Sequence, residues 1–168
     1  MELEVDIEEP WPPADWTALA VRLANAAGQV APELGNPRLS ASLLFTSDAE
    51  IHALNRAWRQ RDKPTNVLSF PMLDRAELLG LGPEGPPVML GDVALAYETC
   101  AREAGDKGTP LEHHAAHLIV HGLLHLAGHD HELGAEEAEA MEALEVKALA
   151  LLGVADPYEP RNQAVGKQ

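Results

Sequence analysis

The spacing of apolar residues predicts strands and helices in alternation along the first part of the chain. Residues 3–7 and 39–45 alternate apolar and polar side chains, as half-buried strands do, and the first is expected to be an edge strand with one wet face. Between them, residues 14–31 have helical spacing and predict an amphipathic helix. Its inward-facing residues are then Trp16, Leu19, Ala20, Leu23 and Ala27.

In the middle of the chain, a capping pattern predicts the start of one further helix, and loops, short strands and another helix are expected to follow it. Ser47 with Glu50 three residues later is a capping-box pattern, and the helix that follows is expected to place Trp58 in the core. The remaining elements follow from apolar runs and from glycine and proline content. They are a polar loop over 61–66, a strand over 67–70, a loop over 73–87, a strand over 88–95 and a helix over 96–103.

The last part of the chain predicts two helices separated by Gly134. The first is a long apolar helix that starts at Thr109 or Pro110. The second spans residues 135–152 and is followed by a polar, frayed tail beyond Pro157. The residues that should face inward from it are Met141, Leu144, Ala148 and Leu151.

These elements predict one α+β domain, in which a small mixed β-sheet packs against helices and an apolar helix lies at the centre. The chain has no internal repeat and no linker long enough to divide it. We therefore expect a single domain over residues 1–155 and a polar tail over 156–168.

Three histidines at the end of the central helix predict a metal site. His121 and His125 are four residues apart and share one helix face, so one cation can be held by both imidazoles. Gly128 lets the backbone leave the helix, and the chain can then return His131 to the same ion. Three imidazoles with one open position are typical of a catalytic zinc site.

Composition and charge narrow the function classes. The net charge of −15 over 168 residues argues against broad, sequence-independent binding of nucleic acid. The charge is unevenly distributed, with a short basic stretch and an acidic segment after the histidines. The simplest interpretation is that both are solvated faces. The basic residues are Arg56, Arg59, Arg61 and Lys63. The acidic ones are Glu132, Glu136, Glu137, Glu139, Glu142 and Glu145.

The expected compartment is the cytoplasm. The single cysteine, Cys100, excludes an internal disulfide and suits a reducing environment. No run of eighteen apolar residues is present, so no membrane span is expected, and the acidic N-terminus does not have the pattern of a signal peptide.

The histidine spacing coincides with the metzincin pattern of zinc proteases, H-E-x-x-H-x-x-G-x-x-H, except at one position. Gly122 stands where those proteases have the glutamate that acts as general base. A metallopeptidase lacking this glutamate is therefore an alternative, but a disfavoured one.

Residues 121–131 read H-G-L-L-H-L-A-G-H-D-H, which resembles the signature H-G-x-L-H-L-x-G-Y-D-H of the YbeY family of bacterial endoribonucleases. Residues 54–71 are similar to that family's L-N-x-x-Y-R-x-x-D-K-P-T-[DN]-V-L-S-F-P, and residues 90–93 to its L-G-D-I segment. The resemblance extends from about Leu39 to Leu152. His129 and Trp58 each replace a family tyrosine.

The resemblance implies a zinc-dependent, single-strand-specific endoribonuclease that matures the 3′ end of 16S rRNA and takes part in ribosome quality control. It implies one zinc ion per chain with His121, His125 and His131 as ligands, and Arg59 as the residue needed for activity. Arg59 suits a phosphate clamp because a guanidinium pairs with phosphate oxygens. Small-subunit ribosomal proteins and an assembly GTPase are the implied partners besides RNA.

Two points stay open in the sequence. A non-catalytic ribosome assembly factor with structural zinc would show a fourth protein ligand, for which His129 or Asp130 are the candidates. Nickel, copper or iron also bind to three imidazoles, and either metal-bound water or the 2′-hydroxyl of the RNA can be the nucleophile.

Overall fold

A mixed sheet and the helices on its two faces make up this computed structural model, which describes residues 1–59, 65–130 and 134–158. The strands are β1 (Glu2–Ile7), β2 (Leu39–Thr46), β3 (Val67–Pro71) and β4 (Val88–Ala96). The helices in these ranges are α1 (Trp16–Val30), α2 (Asp48–Arg59), α3 (Arg75–Leu79), α4 (Tyr97–Lys107), α5 (Leu111–Leu126) and α6 (Ala135–Leu151), with a short 3-10 turn at Pro32–Gly35. The predicted α+β class is confirmed.

The four strands lie in the order β1-β2-β4-β3. β1, β2 and β4 are parallel, whereas β3 runs antiparallel to β4. Parallel neighbours need a crossover, and α1 provides it between β1 and β2. β1 is an edge strand, as its alternating pattern predicts.

The two faces of the sheet bury different amounts of apolar surface. Alternate residues of β2 point into the main core beside α1 and α5. On the opposite face, α2 covers a smaller cluster through Ile51, which is fully buried beside Leu68, Ala94 and Ala96. The inward residues of β2 are Leu39, Ala41, Leu43 and Phe45.

α5 is the central helix, and Gly122 lets it lie close against the sheet. It contacts α1, α4, α6, β3 and β4, and its apolar residues are almost entirely buried. A Cβ atom built on Gly122 would lie 2.7 Å from Cγ1 of Val93 and 3.3 Å from the Ser69 hydroxyl. The absence of a side chain at this position therefore sets the separation of α5 from β3 and β4.

Most of the predicted elements are confirmed, and the differences have local causes. The Ser47 hydroxyl accepts the Glu50 backbone N–H at 3.2 Å, which is the expected cap of α2. The 73–87 segment is not entirely a loop, because Asp74 and Glu77 form a reciprocal capping box that supports α3. The helix predicted over 96–103 continues to Lys107, where Gly108 ends it in the left-handed conformation.

α6 buries a different set of residues from the one predicted. Met141 and Ala148 face the core as expected, and Leu144 is partly buried. Leu151 is 55% exposed at the end of the helix, so its prediction as an inward residue is wrong. None of the helices in the described ranges combines the length and apolar character that a bilayer crossing requires.

Candidate metal centre

His121 and His125 lie side by side on the last two turns of α5. Their ring centroids are 4.7 Å apart with planes inclined by 74°. This geometry follows from the four-residue spacing, which stacks side chains one turn apart on the same face. The His121 side chain is 21% exposed while the neighbouring apolar residues are buried, so the pair sits where the core meets solvent.

A carboxylate on α6 fixes the protonation of the first histidine. Oε2 of Glu145 is 2.6 Å from Nδ1 of His121. An ionised carboxylate only accepts hydrogen bonds, so Nδ1 carries the proton of this contact, and Nε2 is the nitrogen that the ring can offer to a metal ion. A histidine oriented in this way by a carboxylate is the usual form of a zinc-binding histidine.

Glu145 is fully buried, and its charge is maintained by three donors. Its other oxygen, Oε1, accepts from Nε2 of His117 at 3.0 Å and from the hydroxyl of Tyr158. Burial alone raises the pKa of Glu145, but the hydrogen bonds from His117, His121 and Tyr158 outweigh it and lower the pKa to about 2. We call these four residues the Glu145 network.

The sequence-based prediction for these residues is partly wrong. Glu145 belongs to the acidic segment that is expected to be solvated, whereas it is fully buried. Its positions relative to Met141 and Ala148, four and three residues away, already place it on the inner face of α6. His117 supports the site from one turn earlier on α5. Tyr158 falls in the predicted frayed tail but contacts the network.

Gly128 turns the chain out of α5, as predicted. Its φ is 95°, a conformation that favours glycine. The backbone N–H of Gly128 donates to the carbonyl of His125 at 2.9 Å, and that of His129 donates to the carbonyl of Leu124 at 3.1 Å. These bonds begin the return loop, which we define as residues 127–130. His131, the predicted third ligand, lies outside the described residues.

α3 and the 3-10 turn hold the return loop in place. Nη1 of Arg75 donates to the carbonyl of Ala127 at 2.6 Å and to Oε2 of Glu33 at 3.0 Å. The same Glu33 oxygen is 3.2 Å from Nε2 of His129. Burial alone raises the pKa of Glu33, but hydrogen bonds from its own backbone, Arg75 and His129 outweigh it and leave the pKa lowered. Nε2 of His129, a candidate fourth ligand, is thus engaged by Glu33.

A cavity of about 460 Å³ opens beside His125. It is lined by Pro71 at the end of β3, by residues 72–75 that follow, by His125 and by the return loop residues Gly128, His129 and Asp130. A larger cavity of about 720 Å³ lies where α4 gives way to α5, but it contains neither His121 nor His125. Of these two cavities, both lined by described residues, the smaller is the one that borders the histidine pair, through His125.

The structure places the basic stretch only in part. Arg59 is the last residue of α2, and its side chain lies outside the described residues, as do Arg61 and Lys63. Trp58 is 74% exposed, so the prediction that it belongs to the core is wrong. The helical spacing from Ile51 is misleading because the buried part of α2 ends at Asn55, and residues 56–58 are all exposed.

The donors that the structure describes fit a metal ion but do not complete its site. Among the described residues, no three His, Cys, Asp or Glu side chains are grouped to hold an ion. Two imidazoles at the margin of the core, one of them oriented through Nδ1 by a carboxylate, are nevertheless donors that zinc accepts.

Comparison with known proteins gives the family. The model of the family described as Endoribonuclease YbeY matches residues 9–153. The chain belongs to the YbeY family. Two relatives named Endoribonuclease YbeY support the assignment. The relative from Erythrobacter litoralis is 63% identical over 96% of this chain and 99% of its own length, and that from Novosphingobium aromaticivorans is 60% identical over 93% and 95%.

A solved structure agrees with the YbeY fold assignment. The solution structure of TM1509 from Thermotoga maritima superposes with a TM-score of 0.56 and covers 94% of this chain and 99% of its own. The two sequences are 21% identical, so this likeness concerns the fold alone.

Gly122 separates this YbeY chain from the zinc proteases whose histidine spacing it shares. A Cβ here would already lie within 3 Å of Val93, so the position has no room for the glutamate of the protease pattern. The metallopeptidase alternative therefore has no general base at this position. Gly122 packs the helix against the sheet.

Proposed function

We propose that this endoribonuclease is metal-dependent and cleaves single-stranded RNA with one zinc ion held by His121, His125 and His131. Membership of the YbeY family makes the chain a hydrolase of RNA phosphodiester bonds. The observation that supports the metal most directly is the 2.6 Å contact between Glu145 and Nδ1 of His121. A buried carboxylate in this place orients a histidine for coordination through Nε2.

Zinc bound there would act as a Lewis acid beside the scissile phosphate, where negative charge develops during cleavage. The chain's own residues then have separate tasks. Glu145 holds the His121 ring in one orientation, and the cavity beside His125 admits the RNA strand. Arg59, at the end of α2, is the proposed phosphate clamp because a guanidinium forms paired hydrogen bonds to phosphate oxygens.

The proposed substrate is ribosomal RNA, with maturation of the 3′ end of 16S rRNA and ribosome quality control as the cellular roles, in the cytoplasm. A net charge of −15 does not favour unaided binding to a polyanion. We therefore propose that small-subunit ribosomal proteins and an assembly GTPase bring the enzyme to its RNA. The sequence resemblance supports these assignments.

The first experiment tests the metal ligand. We expect His121→Ala to lower the zinc content of the purified protein and to abolish cleavage of a single-stranded RNA oligonucleotide. The matched control is His113→Ala, which removes a histidine two turns earlier on α5 and should leave both unchanged. RNA cleavage by metal-free protein would contradict the proposal, and so would cleavage of peptides in place of RNA.

The second experiment tests Arg59. Arg59→Ala is expected to keep the zinc and the melting temperature while turnover falls about 100-fold, the order lost with one transition-state hydrogen-bond donor. Arg102→Ala, an exposed arginine on α4, is the control and should cleave RNA as the wild type does. Unfolding of Arg59→Ala would give the arginine a structural role instead.

A further inference from the structure

We propose that Tyr158 is a positioning residue for the metal centre, supplied by the segment that follows α6. The proposal rests on the proposed zinc site. The YbeY family match stops at residue 153, before Tyr158, so the match itself assigns no role to this residue.

The hydroxyl of Tyr158 reaches the buried carboxylate that orients His121. It donates to Oε1 of Glu145 and lies 3.0 Å from Nε2 of His117. The Tyr158 ring meets that of His117 edge to face, with centroids 5.2 Å apart and planes inclined by 84°. The tyrosine thus packs against one member of the Glu145 network and hydrogen-bonds to another.

The backbone holds this tyrosine in place. The N–H of Tyr158 donates to Oδ1 of Asp156 at 2.8 Å, which closes a turn immediately before the ring enters the network. The residues after α6 are therefore folded back towards α5 at least as far as Tyr158. This contact gives the C-terminal segment a specific place at the centre.

The hydrogen bond from Tyr158 to Glu145 can influence metal binding by His121, because the two carboxylate oxygens of Glu145 have different partners. Oε2 receives only the His121 proton among the contacts that the structure describes, whereas Oε1 receives those of His117 and Tyr158. Losing the hydroxyl leaves Oε1 with one donor fewer in a fully buried position, where an unmet acceptor is costly. The carboxylate can then rotate to recover a partner, and the His121 ring loses its fixed orientation.

The size of the effect follows from the position of Tyr158 behind Glu145. Removing a group that hydrogen-bonds a metal ligand typically weakens metal binding about 10- to 100-fold. Tyr158 acts one bond further away, and 44% of its surface is exposed, so water can replace part of its contribution. We expect zinc affinity to fall about tenfold, at the low end of that range.

The test compares the zinc affinity of full-length Tyr158→Phe with that of the wild type by competition with a chromophoric chelator. The same proteins loaded with Co²⁺ report ligand geometry through their visible absorption spectrum. Tyr97→Phe is the control, because it removes the hydroxyl of a tyrosine that packs on Trp11, away from Glu145. Tyr158→Phe should bind zinc about tenfold more weakly with an altered cobalt spectrum, and Tyr97→Phe should match the wild type.

Two outcomes would contradict the inference. Wild-type affinity and an unchanged cobalt spectrum in Tyr158→Phe would overturn the inference. A lowered melting temperature with an unchanged cobalt spectrum would also overturn it, since that result marks a packing role.

The zinc affinity of His121→Ala separates a failure of the positioning role from a failure of the proposed function. If zinc binding needs His121 but not the Tyr158 hydroxyl, the metal site stands and only the positioning role is lost. If the wild type and His121→Ala bind zinc equally, the metal site itself is wrong and both are overturned.

Discussion

Replacing Gly122 by alanine tests the claim that close contact between α5 and the sheet positions the histidines. The added Cβ would lie 2.7 Å from Cγ1 and 3.1 Å from Cγ2 of Val93, and 3.3 Å from the Ser69 hydroxyl. Val93 is 1% exposed in the main core and cannot move into solvent. Either α5 moves outward or the core around Val93 is rearranged.

The expected cost can be estimated from two opposing effects. Alanine is favoured over glycine within a helix by about 1 kcal/mol, whereas overpacking a core costs about 1–3 kcal/mol. Because the closest contact is far inside van der Waals distance, we take the upper end of the overpacking range. The net expectation is a loss of about 2 kcal/mol in the free energy of unfolding.

The assay is urea denaturation of Gly122→Ala beside Gly105→Ala. Gly105 lies in α4, and a Cβ atom added there would meet no atom within 4 Å, so alanine at this position should stabilise the protein by about 0.5–1 kcal/mol. Adding Val93→Ala should relieve the clash, so the double variant should be more stable than the sum of the single effects by about 1 kcal/mol or more. Equal stabilisation by the two glycine replacements would refute the close-contact reasoning.

Two further predictions concern RNA affinity and pH. Trp58 is 74% exposed beside Arg59 and can stack a base. Trp58→Ala should therefore weaken RNA binding about tenfold in a filter-binding assay without changing the zinc content. Unchanged affinity would exclude stacking. Nε2 of the buried His114 is 2.8 Å from Oε1 of Glu103. Burial lowers the pKa of His114. For Glu103, burial alone raises the pKa, but hydrogen bonds from Asn66 and His114 outweigh it and lower the pKa. Because the pKa of His114 is lowered on folding, the unfolded chain binds this proton more readily than the folded protein does. The free energy of unfolding is therefore highest above pH about 6.5 and falls below it. The contribution of Glu103 is lost at still lower pH. Urea midpoints measured from pH 7 to 4 should therefore decline less in His114→Gln than in the wild type, and equal slopes would contradict this assignment.

The sequence predicts those parts of the fold that depend on regular spacing or a local capping signal. The alternation in residues 3–7 and the helical spacing from Trp16 each correspond to an observed element. Gly128 ends the histidine helix as predicted, because few other residues adopt its φ of 95°.

The errors come from features that depend on tertiary packing or from local signals that are masked by their surroundings. Trp58 has the spacing of a core residue, but residues 56–58 near the end of α2 are all exposed, and no local pattern shows this. α3 is missed although Asp74 and Glu77 carry a capping-box pattern, because the segment around them is rich in glycine and proline. Glu145 is missed because its acidic neighbours conceal its position on the inner face of α6.

Of the candidate site, only the pairing of His121 and His125 could be predicted from the sequence. The four-residue spacing places His121 and His125 together, but the carboxylate that orients His121 comes from another helix, and the tyrosine that supports this carboxylate comes from beyond it. Such contacts depend on how α5 and α6 pack. The roles of Arg59 and His131 stay predictions, since the side chain of the first and the whole of the second lie outside the described residues.

The measurement that tests the central claim most directly is X-ray absorption at the zinc edge of stoichiometrically loaded protein. We predict one zinc per chain with three imidazole nitrogens at about 2.0–2.1 Å and one further light-atom ligand from solvent. His121→Ala should lose this signature. A zinc ion enclosed by four protein ligands, or a protein that cleaves RNA without stoichiometric metal, would contradict the account.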